Sequence, residues 1–191
     1  MATGTKHPVY QLKITLDGIK PPIWRRVLIA SQVDLEQLHE TIQTAMGWED
    51  DHLHQFVSGR KCYGLPDGDY GPEVEDETRY RVSQLLKREK DRIGYEYDFG
   101  DSWEHTVLLE KILPAEDESR LPRCIDGKRA CPPEDCGGIW GYQELLEIFR
   151  DPSHPEYEET MEWLGDEYDP EHFDVAEVNQ ELTELTEFKH D

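Results

Sequence analysis

The chain has 191 residues, enough for one hydrophobic core or a core with an appendage. Hydrophobic residues make up 36%, and five Trp, nine Tyr and five Phe supply bulky core material, which excludes a chain disordered throughout. Asp and Glu number 43 against 20 Lys and Arg, and 17 of the acids with only two of the bases fall in residues 141–191, so direct nucleic-acid binding is disfavoured.

Residues 9–17 alternate: Tyr10, Leu12, Ile14 and Leu16 share one face of a half-buried strand, and Gln11, Lys13, Thr15 and Asp17 share the other. Asp17-Gly18 and Pro21-Pro22 punctuate the connection to a second strand over 23–29, in which Trp24, Arg26 and Leu28 oppose Ile23, Val27 and Ile29, with Arg25 among the latter. Asp34 caps a predicted helix over 35–46, whose stripe is Leu35, Leu38, Ile42, Ala45 and Met46 and whose stop is Gly47. Short strands are expected at 53–57 and 60–64, then a loop over 65–79 and a short helix over 82–86. A hairpin follows, in which Ile93, Tyr95, Tyr97 and Phe99 alternate with smaller or polar residues. It turns at Gly100-Asp101 and returns over 103–112. Residues 113–140 hold four prolines and three cysteines and read as a loop without elements. Helices are expected over 141–150, 156–164 and 174–188.

This order predicts an α+β fold: one mainly antiparallel sheet built from hairpins, a helix packed on it, and C-terminal helices. The predicted organisation is a single α+β domain over 1–191. It divides into a sheet-and-helix core (8–112), a Pro- and Cys-rich loop (113–140) and an acidic helical part (141–191). No run of about 18 apolar residues exists to cross a membrane, and residues 1–10 contain no secretory apolar stretch. A cytoplasmic setting with reduced thiols is the expectation.

Several strings stand together. They are Tyr10-Gln-Leu-Lys-Ile14, Pro21-Pro-Ile-Trp-Arg-Arg26, Leu38-His39, Met46-Gly-Trp48 and His52-Leu-His54. Tyr95-Glu-Tyr-Asp-Phe-Gly-Asp-Ser-Trp-Glu-His105, Pro132-Pro-Glu-Asp-Cys-Gly-Gly138 and Trp140-Gly-Tyr142 complete the set. In this order, over residues 8–180, the chain resembles the plasmid ORF-three-like family, named for an Ri-plasmid open reading frame. Its members often carry insertion-element passenger or TnpR resolvase labels. The resemblance implies an α+β fold and a plasmid or mobile-element setting, and it brings no established activity. The charge balance lends the resolvase label no support.

Four constellations can carry chemistry. His52, His54, Asp98, Asp101, Glu104 and His105 form a candidate polar cluster. Two histidines two apart on a strand point the same way, and with His105 they would give three nitrogen ligands for a divalent metal. The plainer reading makes Asp98 and Asp101 turn residues and His52 and His105 satisfied core or interface histidines. Cys124, Cys131 and Cys136, with Cys62, form a weak candidate metal set, because neither gap matches the usual Cys-x2–4-Cys spacing. Cys136 beside Gly137-Gly138 is a candidate nucleophile, but Glu134 and Asp135 beside it suppress the thiolate. Trp24, Arg26, Trp48, Tyr97, Trp103 and Trp140 form a candidate ligand groove, with a cation–π shelf where Trp24 meets Arg25 and Arg26. Core packing is the plainer role. The expectation is a non-catalytic binding or adaptor module without a cofactor, its partner a protein or small ligand. The alternatives are a metal-dependent hydrolase-like enzyme using the His/Asp cluster and an acidic nucleic-acid mimic acting through residues 141–191.

Overall fold

The alternating strands assemble into one sheet with one buried face. The computed structural model describes residues 7–66, 74–115, 120–165 and 168–188. Eight strands are present: β1 (Val9–Leu16), β2 (Ile23–Ala30), β3 (His54–Ser58), β4 (Lys61–Gly64), β5 (Glu75–Asp76), β6 (Arg92–Tyr97), β7 (Trp103–Leu113) and β8 (Arg123–Lys128). Their order is β5-β4-β3-β6-β7-β1-β2-β8, and every junction except β4–β5 is antiparallel. The helices are α1 (Leu35–Met46), α2 (Val82–Leu85), α3 (Gly138–Arg150), α4 (Tyr157–Leu164) and α5 (Val175–Phe188). The fold is α+β, with a mainly antiparallel sheet.

Register fixes which side chains go inward. Tyr95 lies opposite His105, His105 opposite Leu16, and Leu16 opposite Ile23, so these four share the buried face. The positions between them, including Lys13, Trp24, Arg26 and Glu104, take the opposite face. There Trp24 lies beneath both Lys13 Nζ (4.8 Å) and the Arg26 guanidinium (4.9 Å). The expected shelf therefore forms with Arg26, whereas Arg25 turns inward. Its Nε donates to Ala45 O at 2.6 Å, its Nη1 donates to Trp24 O and Lys128 O, and its guanidinium stacks on Phe173 at 4.6 Å. Carbonyl acceptors and an aromatic face let this cation be buried.

α1 closes over the inward face. Asp34 accepts from Gln37 N at 2.9 Å while the Gln37 side chain accepts from Asp34 N, a reciprocal cap. Gly47, at φ 93°, ends the helix with its N–H on Gln43 O. The stripe Leu35, Leu38, Ile42, Ala45 and Met46 joins a buried cluster that also takes in Tyr142, Leu145 and Leu146 of α3 and Leu182 of α5.

The structure corrects three readings. Residues 113–140 are not free of elements: β8 pairs with β2, and a register shift between Arg26 and Val27 breaks the alternation that would have revealed it. The 65–79 loop contains β5 and a 3-10 turn, Glu77–Arg79, while its central part lies outside the described residues, as does the start of the N-terminal segment. α3 begins at Gly138, three residues earlier than expected. Its first turn is pinned. A Cβ on Gly138 would sit 2.5 Å from Asp101 O, and one on Gly141 would collide with the Cys136 carbonyl. Gly141→Ala is expected to cost about 3 kcal/mol through overpacking. Gly47→Ala, where the space is open and only the left-handed conformation is lost, should cost about 1 kcal/mol. Urea unfolding of both variants measures the difference, and equal midpoints would contradict the pinning.

Candidate functional site

At one end of the sheet the inward positions are aromatic and polar rather than aliphatic. β3 begins at His54, β6 ends at Tyr97, and β7 begins with Trp103 and His105. Trp48 packs against Tyr97 (5.0 Å between ring centres), Trp103 (6.2 Å) and His105 (5.3 Å). Its indole N–H donates to Pro132 O at 3.0 Å, which brings the 129–137 loop over this end. The Tyr97 hydroxyl is the junction. It accepts from Asp51 N at 3.1 Å and donates to Glu134 Oε1 at 3.0 Å. Glu134 Oε1 also accepts from Glu49 N at 3.1 Å. Burial, then the Glu134 charge, pushes the Tyr97 pKa upward, so the phenol stays a donor.

Glu134 Oε2 receives nothing. It and His52 Nε2 are solvent-inaccessible atoms without a hydrogen-bond partner. They lie 3.8 Å apart, and His52 Nε2 is 3.9 Å from Asp98 Oδ2 and 3.3 Å from Asp135 Oδ1. Asp98 is 7% exposed; its Oδ1 takes the Gly100 N–H and its Oδ2 is left toward His52. Two of these separations exceed hydrogen-bond length. Ligand atoms each ~2.1 Å from one ion lie roughly 3.0–3.4 Å apart, close to the observed spacing. Asp98 (φ 54°) and Asp135 (φ 55°) both hold left-handed backbone, as does neighbouring Asp50 (φ 62°). Aspartate tolerates this region better than most residues, and such outliers concentrate at functional sites.

A second polar cluster lies alongside. The His39 and His54 rings stack with centres 3.4 Å apart and planes 5° from parallel. His54 Nε2 meets both oxygens of fully buried Glu77 at 2.9 and 3.1 Å. Gln43 donates to Tyr95 Oη, leaving the phenol proton for His39 Nδ1 at 2.8 Å. His39 Nε2–H then donates to Asp50 Oδ1 at 2.8 Å. Every nitrogen and oxygen named in this chain has a partner, and the chain ends on the 49–52 loop that carries His52.

The expected polar cluster is therefore divided. His52 and Asp98 meet, joined by Glu134 and Asp135. His54 does not point with His52, because β3 begins only at His54; it joins His39 and Glu77 instead. Asp101 Oδ2 accepts from Gly137 N, and Glu104 is exposed on the other sheet face. His105 is buried with Nδ1–H donating to Trp103 O at 2.8 Å and does not supply a third nitrogen to His52. The expected groove also separates. Trp48, Tyr97 and Trp103 are core, Trp24 and Arg26 lie on the opposite sheet face, and Trp140 is 82% exposed on α3. Among the described residues, neither three-ligand cluster includes a cysteine. Cys136 is pushed up to about 12 by burial and then by the Asp101 charge, so it rests as a thiol. Sequence reasoning missed His39, Asp50 and Glu77 and treated Glu134 and Asp135 only as neighbours of a thiol. His39 was readable, since it falls four after Leu35 and three before Ile42, on the α1 stripe.

A family model described as plasmid pRiA4b ORF-3-like protein matches residues 8–177. The chain belongs to the plasmid pRiA4b ORF-3-like family. It is 38% identical over 179 residues to uncharacterized protein y4hQ of Sinorhizobium fredii, covering 93% of this chain and 92% of the relative. It is also similar to the crystal structure of MM3350, a protein of unknown function from Methanosarcina mazei Go1. That match has a TM-score of 0.82 and 42% identity, and covers 91% of this chain and 99% of that one.

Burial lowers the His105 pKa to about 4 from an ordinary 6.5. The folded value is the lower one, so the unfolded chain takes up a proton first as pH falls. The stability tied to neutral His105 is complete above pH 6.5 and drains toward pH 4. At pH 5 the loss is about 2 kcal/mol. Urea unfolding at pH 7 and pH 5 should show His105→Phe losing about 2 kcal/mol less than the parent over that interval. Equal losses would contradict the assignment.

Proposed function

We propose that this protein is a binding module whose working end is organised by a divalent cation held by His52, Asp98 and Asp135, with Glu134 beside the imidazole. The observation that carries this reading is the pair of solvent-inaccessible, unpartnered atoms, His52 Nε2 and Glu134 Oε2, with two further carboxylate oxygens within 4 Å of the imidazole. The Asp98 and Asp135 carboxylates, with ligand atoms within 4.8 Å of each other and of His52 Nε2, repel one another and gain from a positive ion between them. One imidazole with carboxylates suits Mn2+ or Zn2+. The ligands come from three segments, the 47–53 loop, the turn after β6 and the 129–137 loop, so an ion ties them together. Tyr97 and the Glu49 amide hold Glu134 Oε1 and leave Oε2 beside the imidazole, an outer support of the kind that tunes metal affinity. A role without covalent catalysis agrees with the protonated Cys136.

Chelated, dialysed protein titrated with Mn2+ and Zn2+ in a calorimeter should bind one equivalent. The melting temperature should rise in step, by about 2.7 kcal/mol of stability at a hundredfold excess over Kd. His52→Ala and Asp98→Asn should each weaken binding at least about tenfold, and Tyr97→Phe about tenfold through Glu134. Less than ~0.1 equivalent bound, with no thermal shift for either ion, would refute the reading.

A further inference from the structure

Two tryptophans stand in solvent on the helices that follow the candidate cation site. Trp140 in the first turn of α3 is 82% exposed and Trp163 in the last turn of α4 is 54% exposed. They share one end of the helix pair. α3 and α4 pack together, and Tyr168, four residues beyond α4, donates to the Tyr142 hydroxyl of α3 at 3.4 Å. The end of α4 thus returns to the start of α3. Two indoles at this exposure together present on the order of 300 Å2 of aromatic surface.

Acid surrounds both rings. Glu144 and Glu147 lie four and seven residues after Trp140 and are exposed on the same α3 stripe. Glu159 and Glu162 precede Trp163 by four and one, and both are exposed. Arg150 is the single Lys or Arg on α3 and α4. The backbone that carries Trp140 is closely packed, since a Cβ on Gly138 or Gly141 would meet Asp101 O or Cys136 O.

We propose that the Trp140–Trp163 end of the α3–α4 pair docks an Arg- or Lys-rich segment of a partner protein. The ring faces take guanidinium or ammonium groups by cation–π contact, and the flanking glutamates pair with them. Charge selects this occupant. A second copy of the chain would set one acidic patch against another, and nucleic acid or an anionic lipid surface would be repelled. The surface lies on α3 and α4 and uses none of the residues of the proposed cation site, so it stands apart from that reading.

The probe is a fluorescein-labelled (Arg-Gly)6 peptide, titrated by fluorescence anisotropy into the full chain at low and moderate salt, in EDTA and again with Mn2+. A (Glu-Gly)6 peptide is the control. Binding of the basic peptide alone is expected, weakening as salt rises. Trp140→Ala and Trp163→Ala, both surface changes, should each weaken it about tenfold, and Glu144→Gln with Glu147→Gln several-fold. Glu177→Gln with Glu184→Gln on α5 removes the same charge away from the indoles and should change affinity less than about twofold. The proposal is overturned if the Trp variants bind like the parent, if the α5 pair weakens binding as much as the α3 pair, or if sedimentation shows Trp140-dependent dimers. Binding that persists in EDTA, with no Mn2+ uptake, would sink the cation reading and leave this one standing.

Discussion

An eight-stranded sheet with its helices packed on one face must send every second side chain of each strand into the core. That constraint sorts the whole sequence. Along β1, β2 and β7 most inward positions away from the polar end are aliphatic, from Leu12, Ile14 and Leu16 to Val27, Ile29, Val107 and Leu109, with Tyr10 and the buried cation Arg25 as exceptions. Toward that end the same inward positions become His54, Tyr95, Tyr97, Trp103 and His105. Each brings a polar atom under the helical layer, where an unpaired group costs about 1–3 kcal/mol. The neighbouring loops and α1 supply partners for His54, Tyr95 and Tyr97: Glu77 for His54, Asp50 through His39 for Tyr95, and Glu134 with Asp51 N for Tyr97, while Trp103 Nε1 and His105 Nε2 are left unpaired. The polar end is thus a consequence of strand register.

Within that end, the His39–His54 layer makes most of its hydrogen bonds inside the protein, although Gln43 Oε1, Trp103 Nε1 and His105 Nε2 are left without a partner. One step outward, His52 Nε2 and Glu134 Oε2 close none. The two layers are joined by four consecutive residues, since Glu49, Asp50, Asp51 and His52 each contact a different group of the site. Left-handed backbone at Asp50, Asp98 and Asp135 is the cost of bringing these contacts to one place.

Most of the fold was legible because it depends on short-range periodicity. The α1 stripe and its Asp34 and Gly47 boundaries lie within a few residues of one another, and the strands β1, β2 and β6 alternate, as does β7 as far as its bulge at Glu110. β8 was hidden because a register shift spoils its alternation and prolines flank it. Half of the candidate site was hidden for another reason. His52 and Asp98 were singled out by residue type, but Glu134 reaches them only through a fold that joins segments more than thirty residues apart. In the string Pro132-Pro-Glu-Asp-Cys the cysteine drew the chemical reading. In the fold its neighbouring acids face the imidazole, and the thiol is kept protonated by burial.

The acidic C-terminal part is more than a charged coat over a finished body. β8 is an edge strand, and its outer side would otherwise offer free backbone groups for pairing with another chain. Asn179 of α5 fills that role: its Nδ2 donates to Cys124 O and its Oδ1 accepts from Cys124 N, both at 2.8 Å, so one amide mimics a neighbouring strand. Leu182, three residues on, is 1% exposed in the common core, and Phe173 stacks on the Arg25 guanidinium. A helix that seals the sheet edge with one side chain and the core with another can carry carboxylates on its remaining surface, because those positions contact neither. The positions of α5 that contact neither the sheet edge nor the core are thus free to carry their share of the negative charge concentrated in residues 141–191.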